Sequence, residues 1–404
     1  MKTLDRRTAI VVFLAFALTY FFSALLRSIT ATLAPTLTRE FALNARDLGL
    51  LAGGYFLGFA ATQLPLGAWL DRHGPRQVSL GFLLMAVVGC LAFSVATSFS
   101  GLLAARVLCG VGVSACLMAP LTGFRRWLTP TAQLRANSWM LMTGSFGMLA
   151  STLPVQWLMP VVGWRPLFWG LAVAVGVSMA AIAWKVPAWQ AAPAEPGDKP
   201  GSYAEVWKHP YFRRVAPIGF FHYGGLIAIQ TLWAGPWLVR VTGYGPLEAA
   251  TGLFVINISM LCTFLAWGMV TPWLGRKGMT TDRLIALGVP SSFLVLAFIL
   301  VAGPAAGAIA WSLFCVSSTF LALAQPAVGM AFPPALAGRA LSAYNLVIFG
   351  GVFVMQWGIG LLIDGFGAIG LGEVASFRAA MAVFLGCIIL AYGYFMLAKD
   401  NSSQ

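Results

Sequence analysis

Carboxylates are missing from the apolar stretches of this chain. Its 404 residues include 12 Asp and Glu, and none falls in the middle of a membrane-length apolar segment. That removes the usual means of holding a cation inside a bilayer. Charge is scarce altogether: 9% of residues are charged and 59% hydrophobic, whereas a soluble domain carries about 25% charged residues. The composition is that of a polytopic membrane protein. No ten-residue alternating segments of the β-barrel kind occur. No Gly-rich loop ends in G-K-[ST], so ATP-driven work is not indicated. The one histidine within an apolar stretch, His222, has no acidic residue near it in sequence, so no Ser/His/Asp constellation is suggested. An enzyme is not expected, and neither a cofactor nor a metal site is read. All six cysteines lie within apolar stretches and none in an outside loop, so no disulfide framework is expected.

The apolar stretches repeatedly reach the ~20 residues that span a bilayer as helix. They number twelve, at about 8–34, 46–70, 77–97, 101–124, 136–160, 166–185, 213–239, 246–271, 283–302, 306–332, 340–363 and 376–398. The first follows a basic start but is too long for a signal peptide, and no A-x-A site follows it, so it reads as a span. The net charge of +13 reflects topology and not a nucleic-acid partner. Most Lys and Arg fall in alternate connections, at 2–7, 72–76, 125–135, 185–214, 276–283, 339 and 399. The intervening connections hold only Arg39, Arg46, Arg165, Arg240 and Arg378. By the positive-inside rule both termini are cytoplasmic. Residues 187–210, with Pro187, Pro193, Pro196, Pro200 and Pro210, break the apolar rhythm and read as a cytoplasmic linker. It separates six spans in 1–186 from six in 211–404, with Tyr203 to Lys208 suited to a short interfacial helix. Weak internal repetition (Trp164-Arg165-Pro166 before the sixth span, Ser376-Phe377-Arg378 before the twelfth) relates the halves. The fold class is therefore all-α: twelve transmembrane helices in two pseudo-symmetric six-helix halves.

Between the second and third spans stands Gly67-Ala68-Trp69-Leu70-Asp71-Arg72-His73-Gly74-Pro75-Arg76. Asp71 suits a helix N-terminus, Gly74 a tight turn, Gly67 a close helix contact, and Arg72 and Arg76 the cytoplasmic face. This segment resembles the signature loop of the major facilitator superfamily, G-x-x-x-D-R-x-G-x-R. Leu102 to Gly110, centred on Arg106, resembles the family's fourth-span motif, and Gly163-Trp164-Arg165 its sixth-span start. The copy at Gly268 to Gly278 lacks the Asp. The resemblance implies secondary transport, with Gly67, Asp71, Arg72, Gly74 and Arg76 as a latch between helices and Arg106 in proton coupling. The fifth span, Gly144-Ser145-Phe146-Gly147 onward, lacks the Gly-Pro and Gly-Gly of drug antiporters. The first span, Arg27 to Pro35, is similar to that of organic-anion and nitrate-type symporters.

Arg27 and Arg106 are the two charges deep inside spans, and both are positive. A path lined by arginine without carboxylate suits an anion. Arg27 lies 20 residues beyond Arg7, about 30 Å along a helix, with apolar and hydroxyl residues continuing to Thr38. Substrate contact is read there in preference to snorkelling, whereas Arg106 suits either coupling or the bracing of backbone carbonyls. His222 is the natural titratable group of the seventh span and the first candidate to carry the coupled proton, ahead of a lipid-remote acid such as Asp364 or the substrate itself, and hydrogen-bonded structural duty is its equal alternative. Tyr223 and Gln230 share a face with Trp237, and His222 shares the adjoining face with Trp233. Asn257, Gln325, Asn345 and Gln356 complete the set of neutral donors an anion site can use, although each can simply bond a neighbouring helix.

These observations predict a monomeric secondary transporter of the bacterial inner membrane that moves a small organic or inorganic anion by alternating access, coupled to protons, with the lipid bilayer as its surroundings. A proton-coupled drug or metabolite exporter is the alternative within the class. A non-transporting receptor or assembly factor on the same fold is the alternative outside it.

Overall fold

A computed structural model describes residues 4–189 and 202–398. Among the described residues the protein is all helix and irregular connection, without a strand. Ten helices are each long and apolar enough to cross a bilayer, and a pair bent by 43° makes an eleventh. The twelfth arises at a join. Ala45–Ala61 runs on through Thr62, itself in helical backbone, into Gln63–Val95, and Gly74 breaks that second helix with φ 77° and ψ 166°.

The spans are α1 (Arg6–Phe41), α2 (Ala45–Ala61 continued to residue 73), α3 (75–95), α4 (Phe99–Trp127), α5 (Pro130–Ala150 with Leu153–Val162) and α6 (Trp164–Lys185). Then follow α7 (Pro210–Arg240), α8 (Pro246–Arg276), α9 (Thr281–Ala305), α10 (Ala308–Met330), α11 (Pro334–Ala368) and α12 (Glu373–Leu397). The twelve spans read from sequence are thus present, but their ends differ. α1 runs on to Phe41 and α11 begins at Pro334, because apolarity marks the part of a helix inside the bilayer and hydrogen bonding carries it further into water. The polar loop expected after the second span is helical except for one corner: Gly74 supplies the left-handed backbone and Pro75 starts the next helix.

The described residues form two compact units, 4–29 with 54–189 and 30–53 with 202–398. In the first, helix starts are fixed by local caps. Ser98 Oγ accepts the Gly101 N–H at 3.2 Å, and Thr129 Oγ1 accepts that of Ala132 at 3.4 Å with Pro130 in the first turn. α5 bends at Ser151–Thr152, where Pro154 follows in the first turn of Leu153–Val162. Leu84 and Val173 are exposed, as lipid-facing side chains are.

In the second unit, Tyr203–Lys208 is helical, as expected, and closed by a capping box in which Ser202 and Glu205 satisfy each other's backbone. Residues 190–201 of the expected linker lie outside the described residues. Val206 of the short helix is buried in a core with Phe212, Val215, Ile285, Val289 and Tyr344. At the same end Arg214 pairs with Asp282 at 2.7 Å. α7 has an uncommon backbone: two π-helical turns, Gly219–Tyr223 and Ile229–Trp233, separated by one α turn. Such wide turns cluster at functional sites, and these two carry His222, Tyr223, Gln230 and Trp233. Leu287, Leu294 and Leu390 are exposed, as side chains on a lipid-facing surface would be.

Candidate functional site

In the first unit, helical spacing sets Tyr20, Ser23 and Arg27 along one face of α1. α2 brings Tyr55 and Phe59 to them, and α4 brings Arg106. The Tyr55 hydroxyl donates to the Ser23 carbonyl at 3.0 Å. The Arg27 guanidinium lies 5.8 Å from the centre of the Phe59 ring, with the Tyr20 and Tyr55 hydroxyls beside it. The Arg106 guanidinium sits 5.0 Å over the Tyr55 ring and donates through Nη1 to the Leu26 carbonyl at 2.9 Å. Tyr55 is therefore flanked by two guanidinium groups, a cation–π and hydrogen-bonded arrangement that lets both cations stand in an apolar interior.

Arg106 is 1% exposed, whereas Arg27 is half-buried. Nε and Nη2 of Arg106 have no protein partner. The bracing of a carbonyl by Arg106 falls on Leu26, next to Arg27, so Arg106 fixes the stretch of α1 that presents the first arginine. In this unit the described acidic residues are Asp5 and Asp71, both at the ends of spans. The centre is positive and offers hydroxyl donors.

Among the described residues of the second unit, the polar side chains singled out from sequence join in pairs across helices. Gln230 donates through Nε2 to Asn257 Oδ1 at 3.0 Å, and Asn257 donates through Nδ2 to the Leu253 carbonyl at 2.9 Å. Gln356 donates to Thr231 Oγ1 at 3.0 Å, and the Trp233 indole donates to the Gln356 carbonyl at 3.1 Å. Gln325 donates to Asn345 Oδ1 at 2.8 Å. His222 is wholly buried, with Nε2 at 3.1 Å from Ser292 Oγ and 3.3 Å from Ser318 Oγ. It points at α9 and α10. Tyr223 is partly buried against the core around Tyr344.

The loop Gly67 to Arg76 is tied down at its far end. Trp189 covers Gly74 so closely that an added Cβ would lie 2.1 Å from the Trp189 side chain. The Trp189 indole donates to the Asp71 carbonyl at 3.1 Å, and Arg126 stacks on the same ring at 4.0 Å. Arg76 donates through Nη2 to the Ala183 carbonyl. Asp71 and Arg72 are exposed. Gly67 departs from expectation: an added Cβ there meets no atom within 4 Å, so close helix contact is not its role in this structure.

Sequence reading missed Tyr20, Ser23, Tyr55 and Phe59 around the arginines and Thr231, Ser292 and Ser318 around the amides and His222. Tyr20 carried a signal, two turns before Arg27 on the same face. Ser23 carried the same signal one turn before Arg27, and the others did not, because their partners lie on different spans.

Twelve membrane helices, a positive, tyrosine-lined cluster within the first unit and a loop cornered by Gly74 define a polytopic carrier-type membrane protein. The chain belongs to the Major Facilitator Superfamily, whose model matches residues 16–355. It is similar to a probable L-galactonate transporter of Escherichia coli (strain K12), 23% identical over 264 residues that cover 60% of this chain and 57% of that protein. It is also similar to a chloramphenicol resistance protein of Pseudomonas aeruginosa, 28% identical over 156 residues, 37% of this chain and 35% of the other. The chain thus matches little more than half the length of the first and about a third of the second. In fold it is similar to a bacterial homolog of the human lysosomal transporter Spinster, solved in an inward-facing, occupied conformation. The TM-score is 0.78 at 18% identity, covering 98% of this chain and 97% of that one.

Proposed function

We propose that the protein carries a small organic or inorganic anion across the bacterial inner membrane by alternating access. The observation that carries this reading is the pair Arg27 and Arg106 about Tyr55. A half-buried guanidinium beside two phenol hydroxyls binds a carboxylate or another oxyanion with charge-assisted hydrogen bonds. The similarity to a probable L-galactonate transporter supports an organic anion. Arg27 is the substrate contact and Arg106 its brace. Within the second unit, the amides Gln230, Asn257, Gln325, Asn345 and Gln356, with Tyr223 and Trp233, are neutral donors that an anion can use. Flux of labelled anion in proteoliposomes tests the reading. Absence of flux for every anion tried, with lipophilic drugs carried instead, would sink it. That second reading, a drug exporter, is favoured by the similarity to a chloramphenicol resistance protein.

Energy accounting favours a proton partner. Moving a monoanion inward against 100 mV costs about 2.3 kcal/mol, and one proton carried with it cancels that cost. His222 has two serine hydroxyls beside it and no carboxylate. A proton held there would be an uncompensated buried charge. In our reading the proton travels with the anion, and His222 braces α7 against α9 and α10. His222→Gln is expected to accumulate substrate under a pH gradient as the parent does, with lowered thermal stability. Retained counterflow with lost accumulation would instead make His222 the proton carrier.

Both termini and the linker face the cytoplasm in this reading, and a single chain is the working unit. Glu248, at the outer start of α8, and Lys277, just past its inner end, are exposed. In a background with the exposed Cys262 replaced by serine, Glu248→Cys is expected to react with an impermeant thiol reagent in intact cells and Lys277→Cys to resist it. The reverse pattern would invert the topology.

A further inference from the structure

We propose that Asp364 is an outer latch, an acidic group on α11 that holds the first turn of α2 and must release it each time the carrier opens outward. This inference is independent of the substrate. It starts from the composition of the second unit, in which residues 30–53, the last turns of α1 and the first turns of α2, fold with the C-terminal helices. Asp364 Oδ1 accepts the Ala45 N–H at 3.1 Å and Oδ2 the Arg46 N–H at 2.8 Å. The third free N–H of that turn, on Asp47, is already taken by Asn44 Oδ1 at 2.8 Å. One local side chain and one from more than 300 residues away thus share the start of one helix. The local cap defines where α2 begins. The distant carboxylate adds a tie to α11 through charge and helix dipole.

The surface behind the latch is built to separate. Asp364, Gly360, Gln356 and Phe353 recur every three or four residues along α11, and Ala45, Gly49 and Gly53 every four along α2, so each set shares a face. An added Cβ at Gly360 would lie 2.3 Å from the Ala45 carbonyl oxygen, one at Gly49 2.3 Å from that of Gln356, and one at Gly53 3.0 Å from the Phe353 ring. The two helices therefore meet backbone to backbone in antiparallel register, with few long side chains to disentangle. A cavity of about 420 Å³ lies beside the carboxylate, lined among others by Thr38, Asn44, Leu48 and the ion pair Arg240–Glu373. Water in such a cavity can solvate the carboxylate and the helix end as they part. A close but smooth contact, fastened at one wet charged point, is stable when shut and quick to open.

The test is a distance measurement between spin labels at two exposed outer positions of this unit, residues 39 and 248, in nanodiscs, with Cys262 and Cys387 replaced by serine. The parent is expected to show mainly the short separation. Asp364→Asn keeps the shape and loses the charge, and is expected to raise the ratio of long to short separations about two- to tenfold. Asn44→Ala, which removes the local cap alone, is expected to leave the ratio near that of the parent. Should Asp364→Asn fail to fold, Gly360→Ala offers an independent route, since its Cβ must push Ala45 away and lengthen the distance. Unchanged distributions in the folded variants, with only the melting temperature lowered, would reduce Asp364 to a structural cap and overturn the proposal.

Discussion

Arg27→Ala is expected to weaken binding of the anionic substrate by more than tenfold. A hydrogen bond to a charged group contributes about 1.5–3 kcal/mol, and each 1.4 kcal/mol is a factor of ten. The measurement is a thermal-shift titration of purified protein with a panel of small carboxylates, followed by counterflow with any ligand found. The loss should fall on affinity and not on folding, because Arg27 is half-buried and the Tyr55 hydroxyl has a partner of its own in the Ser23 carbonyl. Arg27→Lys separates two contributions. It keeps the charge but not the planar fork, so partial binding means that charge dominates and full loss means that bidentate geometry does. Normal affinity in Arg27→Ala would move the site elsewhere and revive the exporter reading.

Gly110→Ala should be among the most damaging single-methyl changes in the first unit. An added Cβ would lie 1.9 Å from the Tyr55 carbonyl oxygen and 2.7 Å from its carbon. The obstacle is backbone, so no rotamer relieves it. Forcing α4 from α2 costs about 1–3 kcal/mol as overpacking. Alanine's better helix propensity returns only about 0.8–1 kcal/mol, so the net sign is destabilising. The same displacement lifts Arg106 from the Tyr55 ring and loosens its grip on Leu26, so transport should fall together with stability. Gly176→Ala is the control, since its added Cβ meets nothing within 4 Å and should stabilise slightly. Thermal denaturation in detergent reads both. Equal melting temperatures for the two variants would mean that the α2–α4 crossing yields more easily than its geometry implies.

Most of the helical architecture was legible in sequence because lipid imposes length and apolarity on every span. Helix ends were not, since Phe41 and Pro334 lie where helices leave the apolar slab. The corner at Gly74 was visible as a turn, but Trp189, which covers it, follows more than 100 residues later. Arg27 and Arg106 announced themselves as charges among apolar neighbours. Tyr55, which stands between them, looked like any aromatic in a span, because the feature that distinguishes it is a contact made in three dimensions. The amides were legible as a set and illegible as pairs, for nothing local matches Gln230 to Asn257 or Gln325 to Asn345. Nothing near Asp364 in sequence signals its partner, because its carboxylate serves a helix that begins more than 300 residues earlier, at Ala45.

α1 has two allegiances. Its residues up to Ile29 fold with the first unit and those from Thr30 with the second, yet it is one helix from Arg6 to Phe41, with Pro35 inside it. Arg27 stands just before the change of membership, about 3–5 Å away along the axis at 1.5 Å per residue. In the proposed reading, no relay of side chains is then required for a contact at Arg27 to be felt at the far end of α1. A covalent rod already runs from one to the other, and its stiffness sets how faithfully a pull at the arginine is reported there.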